Sequence, residues 1–321
     1  MGIGKEIRYK VKVNVALIAA AVLSCGFAFA APVDPFVRAN RLLDQWQPEK
    51  AIQYFNQSVK LHPKDPKRYR GRAKCLFELR KFNEALRDLE KAITLNPRYV
   101  DAYTLRGDYY LETKEYDKAL LDYKKASSIY PQKAEHYWDT ATAYVSMGNN
   151  ELALKEYTKG LNIDPRSTVY RQRRASTFEK MHNFKEAIKD YSKLINIKPK
   201  DEYYLERAEN YIRLKNFGGA IADYTSILKF NPKDELALMR RADAYLKLGD
   251  YKACIRDCGG AIKLDGENGA LYFIRALALK KQGRLAEARK DFLKAQQLGV
   301  SSSLDVDKIV RVDFPKRSIQ K

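Results

Sequence analysis

One residue pattern is shared by residues 66–97, PKRYRGRAKCLFELRKFNEALRDLEKAITLNP, and residues 100–131, VDAYTLRGDYYLETKEYDKALLDYKKASSIYP. Both stretches end in proline, and the interval between the two prolines is kept along much of the chain, at Pro63, Pro97, Pro131, Pro165 and Pro199, with Pro232 one residue early. A fixed period of 34 residues is typical of a repeat array that grows along one axis. Chain length therefore measures the number of repeats, and the array predicted for residues 31–302 has units at 32–65, 66–99, 100–133, 134–167, 168–200, 201–234, 235–268 and 269–302.

Two columns of small residues run through these units. The eighth position holds Ala39, Ala73, Gly107, Ala141, Ala175, Ala208, Ala242 and Ala276, and the twentieth holds Ala51, Ala85, Ala119, Ala153, Ala187, Ala220, Cys254 and Ala288. Small residues allow two helices to approach closely, and spacings of 3, 4 and 7 residues link these columns to columns of aromatic residues. The sequence therefore predicts an all-α fold in which each unit is a pair of antiparallel helices with a turn near position 15, where Gly148, Gly249 and Gly283 stand.

The recurring order of aromatic, small, aromatic, Ala, aromatic, Ala and Pro resembles the tetratricopeptide repeat family from about residue 32 to residue 302. Segments 79–85, LRKFNEA, and 248–254, LGDYKAC, are similar to the turn between the two helices of that repeat. The resemblance implies a right-handed α-solenoid of about eight 34-residue helix-turn-helix repeats. Together with the N-terminal segment described below, the resemblance implies an exported bacterial-type protein of this family.

A second pair of columns carries opposite charges. Position 7 holds arginine and position 23 holds aspartate in six units, which predicts the structural ion pairs Arg72 with Asp88, Arg106 with Asp122, Arg174 with Asp190, Arg207 with Asp223, Arg241 with Asp257, and Arg275 with Asp291. Both positions lie eight residues from the turn, so they should face each other within a unit or between adjacent units. Unit 134–167 departs in both columns, with Thr140 and Glu156. A ladder of ligand-binding arginines is the alternative, but the paired departure favours a structural role.

Composition disfavours an enzyme. The 321 residues include only 3 His, 4 Cys and 16 Gly, which leaves little material for a metal cluster, a disulfide framework or a glycine-rich phosphate loop. His62, His136 and His182 fall in different columns, and no nucleophile-base arrangement or nucleotide fingerprint is present. We therefore expect no catalytic residues, no metal site and no cofactor. The hydrophobic share of 45% excludes wholesale disorder.

Positive charge is the remaining lead from composition, because 60 Lys and Arg stand against 40 Asp and Glu, a formal net charge of +20. The excess lies in units 66–99, 168–200 and 269–302, each three units from the next. At about 10 Å per helix pair these basic islands are roughly 30 Å apart, well beyond a Debye length of about 8 Å. Separate islands disfavour nucleic acid, which needs a continuous track, but leave open an anionic envelope polymer or a membrane surface.

The N-terminus is predicted to be a secretory signal peptide, residues 1–30. Basic residues such as Lys5 and Arg8 precede an apolar run over 13–24, and Ala28-Phe29-Ala30 forms a small-x-small cleavage site. The alternatives are lipidation at Cys25 and an uncleaved anchor over 13–31. All three possibilities export the rest of the chain, to the periplasm or beyond, and this segment is expected to contact the membrane only if it is uncleaved or lipidated.

Two further predictions concern the second half of the chain. Cys254 and Cys258 are four residues apart on one helical face, which favours two buried apolar side chains and leaves a strained disulfide as the alternative. After residue 302 the repeat phase is lost, and residues 303–321 are expected to form a short capping segment and a basic tail.

The family resemblance implies that the first helices of the pairs line a concave groove that binds a protein or peptide. The positions that point into such a groove give the partner-groove candidates Arg70, Lys74, Phe77, Trp138, Thr142, Met239 and Phe273. Trp138 is the expected anchor, because tryptophan is typical of binding hot spots; packing of Trp138 against a neighbouring unit is the alternative. The expected function is that of a non-catalytic interaction scaffold in the cell envelope, and an adaptor for anionic polymers or membranes is the other candidate.

Overall fold

The computed structural model describes residues 33–300, so the predicted signal peptide, the lipidation site and the C-terminal tail lie outside the described residues. Between 33 and 300 the chain forms sixteen helices and no strand, and the all-α class is confirmed. None of these helices has the length and hydrophobicity that a bilayer-spanning segment requires. The chain divides into two compact units at Tyr130 and Pro131.

The unit that ends at Tyr130 contains three helix pairs. The first helices of its pairs are α1 (Pro35–Asp44), α3 (Pro66–Glu78) and α5 (Val100–Glu112), and the second helices are α2 (Pro48–Leu61), α4 (Phe82–Leu95) and α6 (Tyr116–Ile129). Each second helix packs on the first helix of its own pair, and α2 and α4 also pack on the next first helix. The first helices of neighbouring pairs also contact each other directly.

The unit that begins at Pro131 contains five helix pairs. Its first helices are α7 (Ala134–Ser146), α9 (Thr168–Lys180), α11 (Asp201–Arg213), α13 (Glu235–Leu248) and α15 (Gly269–Lys281). Its second helices are α8 (Asn150–Ile163), α10 (Phe184–Ile197), α12 (Phe217–Phe230), α14 (Tyr251–Leu264) and α16 (Leu285–Gln297). Every one of these pairs falls within one of the 34-residue units read from the sequence.

The two small-residue columns form the contact between the helices of each pair. Every alanine of both columns, and Cys254, is fully buried at 0% exposure. At Gly107 the space is smaller still, because a Cβ atom built there would lie 2.5 Å from Cε1 of Tyr123. The columns therefore hold the two helix backbones close together, and the aromatic residues of the following columns fill the space around them.

Tyrosine hydroxyls attach the first helices to the turns that precede them. The Oη atom donates to the carbonyl six residues earlier in four pairs: Tyr69 to Pro63, Tyr103 to Pro97, Tyr137 to Pro131 and Tyr272 to Gly266, over 3.0–3.2 Å. Arg171 occupies this column in the pair of α9 and α10, and its guanidinium donates to Pro165 O over 2.6 Å. In five of the eight pairs the side chain of this column thus donates to the carbonyl six residues earlier.

The turn within each pair has a left-handed residue at position 15. Gly148, Gly249 and Gly283 have φ values of 77°, 92° and 75°, and the other five pairs place a non-glycine residue there with φ between 56° and 63°: Trp46, Arg80, Lys114, His182 and Lys215. A left-handed residue ends a helix by directing its amide to the last carbonyls. The predicted turn position is therefore occupied in the same way in all eight described pairs.

The three cysteines of the described residues are buried thiols. Cys75 Sγ donates to Pro48 O over 3.2 Å, and burial raises the pKa of its thiol to about 11. Cys254 and Cys258 are free thiols on the buried face of α14. The hydrogen bond with Cys254, together with burial, raises the pKa of the Cys258 thiol. The arrangement is that of two buried apolar fillers.

The close approach at Gly107 can be tested by substitution. We expect Gly107→Ala to lower the free energy of unfolding by about 2 kcal/mol, because the added methyl group overlaps the Tyr123 ring. Gly259→Ala, in the interior of α14 with no atom near the new methyl group, is the control and should raise stability by about 0.5–1 kcal/mol. Chemical denaturation measures both, and a stabilised Gly107→Ala protein would contradict the packing.

Candidate partner-binding surface

An arginine and an aspartate lie opposite each other in six of the helix pairs. Each guanidinium uses Nε and one terminal nitrogen to reach both carboxylate oxygens over 2.6–3.0 Å: Arg72 with Asp88, Arg106 with Asp122, Arg174 with Asp190, Arg207 with Asp223, Arg241 with Asp257, and Arg275 with Asp291. The aspartates are 2–6% exposed. The bond with the carboxylate raises the pKa of Arg72, Arg106, Arg207 and Arg275 above the usual arginine value. These arginines are therefore held in the fold and are not available to a ligand.

Four of these six arginines also donate a hydrogen bond to the preceding helix pair, a contact that the two charged columns did not predict. The remaining terminal nitrogen donates to position 25 of the preceding unit: from Arg72 to Asn56, from Arg174 to Thr158, from Arg207 to Ser192 and from Arg241 to Thr225, over 2.8–3.1 Å. A short polar side chain at position 25 of these four units was the available signal. Each such arginine therefore joins three helices.

The pair of α7 and α8 lacks this bridge, as its sequence indicated. Thr140 is buried and donates to His136 O, and Glu156 pairs with Lys159 on its own helix. In the pair of α9 and α10 the aspartate has two cationic partners. Arg171 approaches Asp190 at 3.3 Å in addition to Arg174. Arginine at the tyrosine position of that repeat thus replaces the tyrosine hydrogen bond and adds a second charge for the buried aspartate.

In the compact unit that ends at Tyr130, the groove candidates are half-buried side chains on α3. Lys74 lines a cavity of about 430 Å³ together with Trp46, which is 83% exposed. The Phe77 ring packs edge to face on Phe82, with 5.5 Å between the centroids. Arg70 has a buried Nε atom without a hydrogen-bond partner. These side chains line the first-helix surface without forming one closed site.

In the compact unit that begins at Pro131, the groove candidates are also half-buried side chains on first helices. The Trp138 ring packs against Tyr170 and Tyr157, with centroid distances of 5.3 and 5.8 Å, and Arg173 lies over it at 5.8 Å. Thr142 donates to Trp138 O. Trp138 therefore does what the alternative interpretation expected, by packing against the following helix pair, while part of its ring stays on the surface.

Met239 and Phe273 lie on the first helices of the last pairs. Asn268 Nδ2 lies 3.9 Å from Met239 Sδ, and Phe273 packs edge to face on Phe292 with 5.7 Å between the centroids. Both side chains are half-buried. They give this end of the first-helix surface an apolar character.

A group of polar residues between α9 and α11 was not among the sequence candidates. Glu179, Glu206, Glu209 and Asn210 line a cavity of about 360 Å³ together with Phe184, and His182 and Arg213 complete the lining. Burial raises the pKa of Glu206, and the neighbouring charges of Glu179, Glu202 and Glu209 raise it further. This is an acidic patch within a protein of net charge +20.

The basic island of unit 66–99 carries less free charge than its net excess in the sequence indicated. Arg68 pairs with Asp34 and Asp65, and Arg80 pairs with Glu112, all of which lie in the neighbouring units. These outside carboxylates neutralise part of the island, which weakens its attraction for a polyanion.

The residues from 33 to 300 contain no group of three or more His, Cys, Asp or Glu side chains that could hold a metal ion. The described surface therefore offers hydrogen-bonding and charged groups to a partner, together with aromatic and apolar side chains.

Three family models match the chain, and each is described as a tetratricopeptide repeat. One covers residues 39–107, the second covers 100–133, 136–167 and 170–201, and the third covers 205–253 and 239–299. Together they extend over nearly all the described helices.

A solved structure shows the same fold. The C-terminal part of a TPR repeat-containing protein from Cytophaga hutchinsonii superposes with a TM-score of 0.63 at 19% identity, over 74% of this chain and 97% of that one. YrrB, described as a TPR protein with an unusual peptide-binding site, has a TM-score of 0.47 at 19% identity, over 57% of this chain and 95% of its own.

Among curated sequences, a 58 kDa phosphoprotein of Plasmodium berghei is 33% identical over 78 residues. The match spans 24% of this chain and 18% of that protein. It therefore relates a short segment of repeats and not the two whole proteins.

The Arg–Asp bridge gives a prediction for stability. We expect Arg207→Ala to lower the free energy of unfolding by about 3 kcal/mol, because the carboxylate of Asp223, 3% exposed, loses its charged partner. Lys189→Ala, which breaks the exposed pair with Glu186, is the control and should change stability by less than about 1 kcal/mol. Equal losses in urea unfolding would show that the buried pair has no special weight.

The acidic patch gives a prediction for pH dependence. The folded-state pKa of Glu206 is raised, so the folded chain holds this proton more tightly than the unfolded chain, and stability falls as pH rises through that interval. We expect Glu206→Gln to unfold at a higher temperature than the wild type at pH 7, and at the same temperature at pH 3, where both side chains are neutral. Glu151→Gln, at an exposed position on α8, should show no such gain. A destabilised Glu206→Gln protein at pH 7 would contradict the assignment.

Proposed function

Because the chain belongs to the tetratricopeptide repeat family, we propose that it is a non-catalytic scaffold that holds a peptide or protein partner on the surface formed by its first helices. The observation that carries this proposal is the set of half-buried side chains on α7 to α15, including Trp138, Thr142, Met239 and Phe273. Apolar and polar groups in partly enclosed positions are what a docked peptide contacts.

The rigid pairs provide the mechanism. Bidentate arginines fix the two helices of a pair and, in four pairs, the preceding pair as well. Side chains on successive first helices are therefore held at set distances within each unit, and a partner can make several weak contacts at once without ordering the scaffold first. Support for a non-catalytic role comes from the family and from the use of the conspicuous arginines in the fold.

We place this scaffold in the cell envelope, periplasmic or secreted. The support is the basic start, apolar run and small-x-small site of residues 1–30. The location is tested by sequencing the N-terminus of the mature protein, where cleavage after Ala30 is expected and a retained Met1 would contradict release by cleavage.

Binding on the first-helix surface can be tested with two matched variants. Met239→Arg replaces a half-buried apolar side chain on a first helix, and Leu293→Arg replaces an exposed one on a second helix. The full wild-type chain is first used to recover a partner from the source organism's envelope, and that partner is identified and purified. We expect it to bind the Met239→Arg protein about ten-fold more weakly than the wild type, and the Leu293→Arg protein with unchanged affinity.

The salt dependence of the same binding separates the two candidate functions. Binding that both variants keep and that falls steeply with salt would contradict the first-helix surface and favour a polyanion on the basic islands. Thermal unfolding of each variant controls for misfolding.

A further inference from the structure

Two polar side chains between α9 and α11, the half-buried Glu179 and the buried Asn210, stand in columns that are mostly apolar or alanine-rich in the other units. Glu179 stands at position 12, where the other units have Leu43, Phe77, Leu111, Val145, Ile212, Leu246 and Lys280. Asn210 stands at position 10, a column that holds alanine in three units, Ala143, Ala244 and Ala278. A buried amide and a half-buried carboxylate cost desolvation free energy that apolar residues avoid. This cost at a site with its own cavity points to a role in binding a ligand.

Asn210 has an acceptor without a partner. Its side chain is 2% exposed, and Nδ2 donates to Glu179 Oε1 over 2.5 Å and to Glu206 O over 2.7 Å. Both neighbours of this nitrogen are acceptors, so the orientation of the amide is determined. Oδ1 is left buried with no hydrogen bond, in a residue that lines the cavity of about 360 Å³. A buried acceptor without a partner is uncommon in a native fold, and a donor that enters from outside the chain would satisfy it.

The cavity also holds more negative charge than its own cations neutralise. Glu206 makes no ion pair within the described residues, and Glu209 is 3.7 Å from Arg240 and accepts from Tyr224 Oη. Glu179 accepts from Tyr191 Oη over 3.4 Å in addition to Asn210. Arg213 and His182, which also line the cavity, are exposed and form no ion pair with these carboxylates. The cavity lining thus brings together three carboxylates, one arginine and one histidine, and its carboxylates outnumber its cations.

The chemistry of these acceptors selects the ligand. A metal ion needs several ligands around one point, and residues 33–300 have no such group. A guanidinium spreads five N–H donors over a plane and suits separated acceptors. Phe184, half-buried in the cavity wall, supplies an aromatic ring on which that plane can stack.

We propose that the cavity formed by Glu179, Glu206, Glu209, Asn210 and Phe184 binds an arginine side chain of the protein partner. This assignment rests on the proposed scaffold function and adds the chemical class of the residue that is recognised. It makes the partner a chain with a basic segment, although the scaffold itself is basic overall.

The test titrates the full chain with three blocked pentapeptides that differ only at the central residue: arginine, its neutral isostere citrulline, and lysine. We expect the arginine peptide to bind at least ten-fold more tightly than the citrulline peptide, with lysine between them, by calorimetry at physiological salt. Glu206→Gln should weaken arginine binding about ten-fold. Asn210→Ala should do the same while restoring the alanine of its column, and Glu151→Gln should have no effect.

The outcomes separate this assignment from the scaffold proposal. Equal binding of the arginine and citrulline peptides, or full arginine binding by both Glu206→Gln and Asn210→Ala, would overturn the arginine site even if the envelope partner is still lost in Met239→Arg. Arginine binding that depends on Glu206 and Asn210 supports the site even if no envelope partner is found. Circular dichroism and thermal unfolding of each variant show that it is folded, and the position of the peptide is read from chemical-shift changes of the Phe184 ring.

Discussion

The close approach of the two helices in each pair is the constraint on which the other contacts depend. Positions 8 and 20 hold residues no larger than alanine or cysteine, and all the alanines are completely buried. Larger side chains at these positions would push the helices apart and separate position 7 from position 23. The short separation is what allows an arginine to reach an aspartate with two hydrogen bonds. Packing of small apolar groups thus sets the geometry, and the charges act within it.

The buried ion pairs fix the register in which the helices of the array pack on one another. An aspartate 2–6% exposed has to be matched by an arginine, so a shift of one helix along the other would leave a charge unpaired. Where the arginine also binds Thr158, Ser192 or Thr225 of the preceding pair, the same penalty applies to a shift between repeats. The hydrophobic columns alone would tolerate such shifts, because alanine and leucine pack against many neighbours.

Much of the fold could be predicted from the sequence because a repeat presents the same information eight times. The proline period, the alanine columns and the facing Arg and Asp columns each recur in phase, and the helix bounds follow them. The candidate site was harder to predict for the same reason. Asn210 and Glu179 matter because they depart from their columns, and a single departure is indistinguishable from drift until the orphan Oδ1 and the shared cavity are seen. The packing of Trp138 between two tyrosines also needed the structure, because it depends on Tyr170 of the next pair.

The chain has two tryptophans, and each compact unit contains one of them. Trp46 is 83% exposed at the first turn, whereas the Trp138 ring is enclosed by Tyr157 and Tyr170. Loss of structure in the second unit therefore moves an indole from an aromatic environment into water, and loss of structure in the first leaves its indole in much the same solvent. Intrinsic tryptophan fluorescence of this protein therefore reports on unfolding of the second unit.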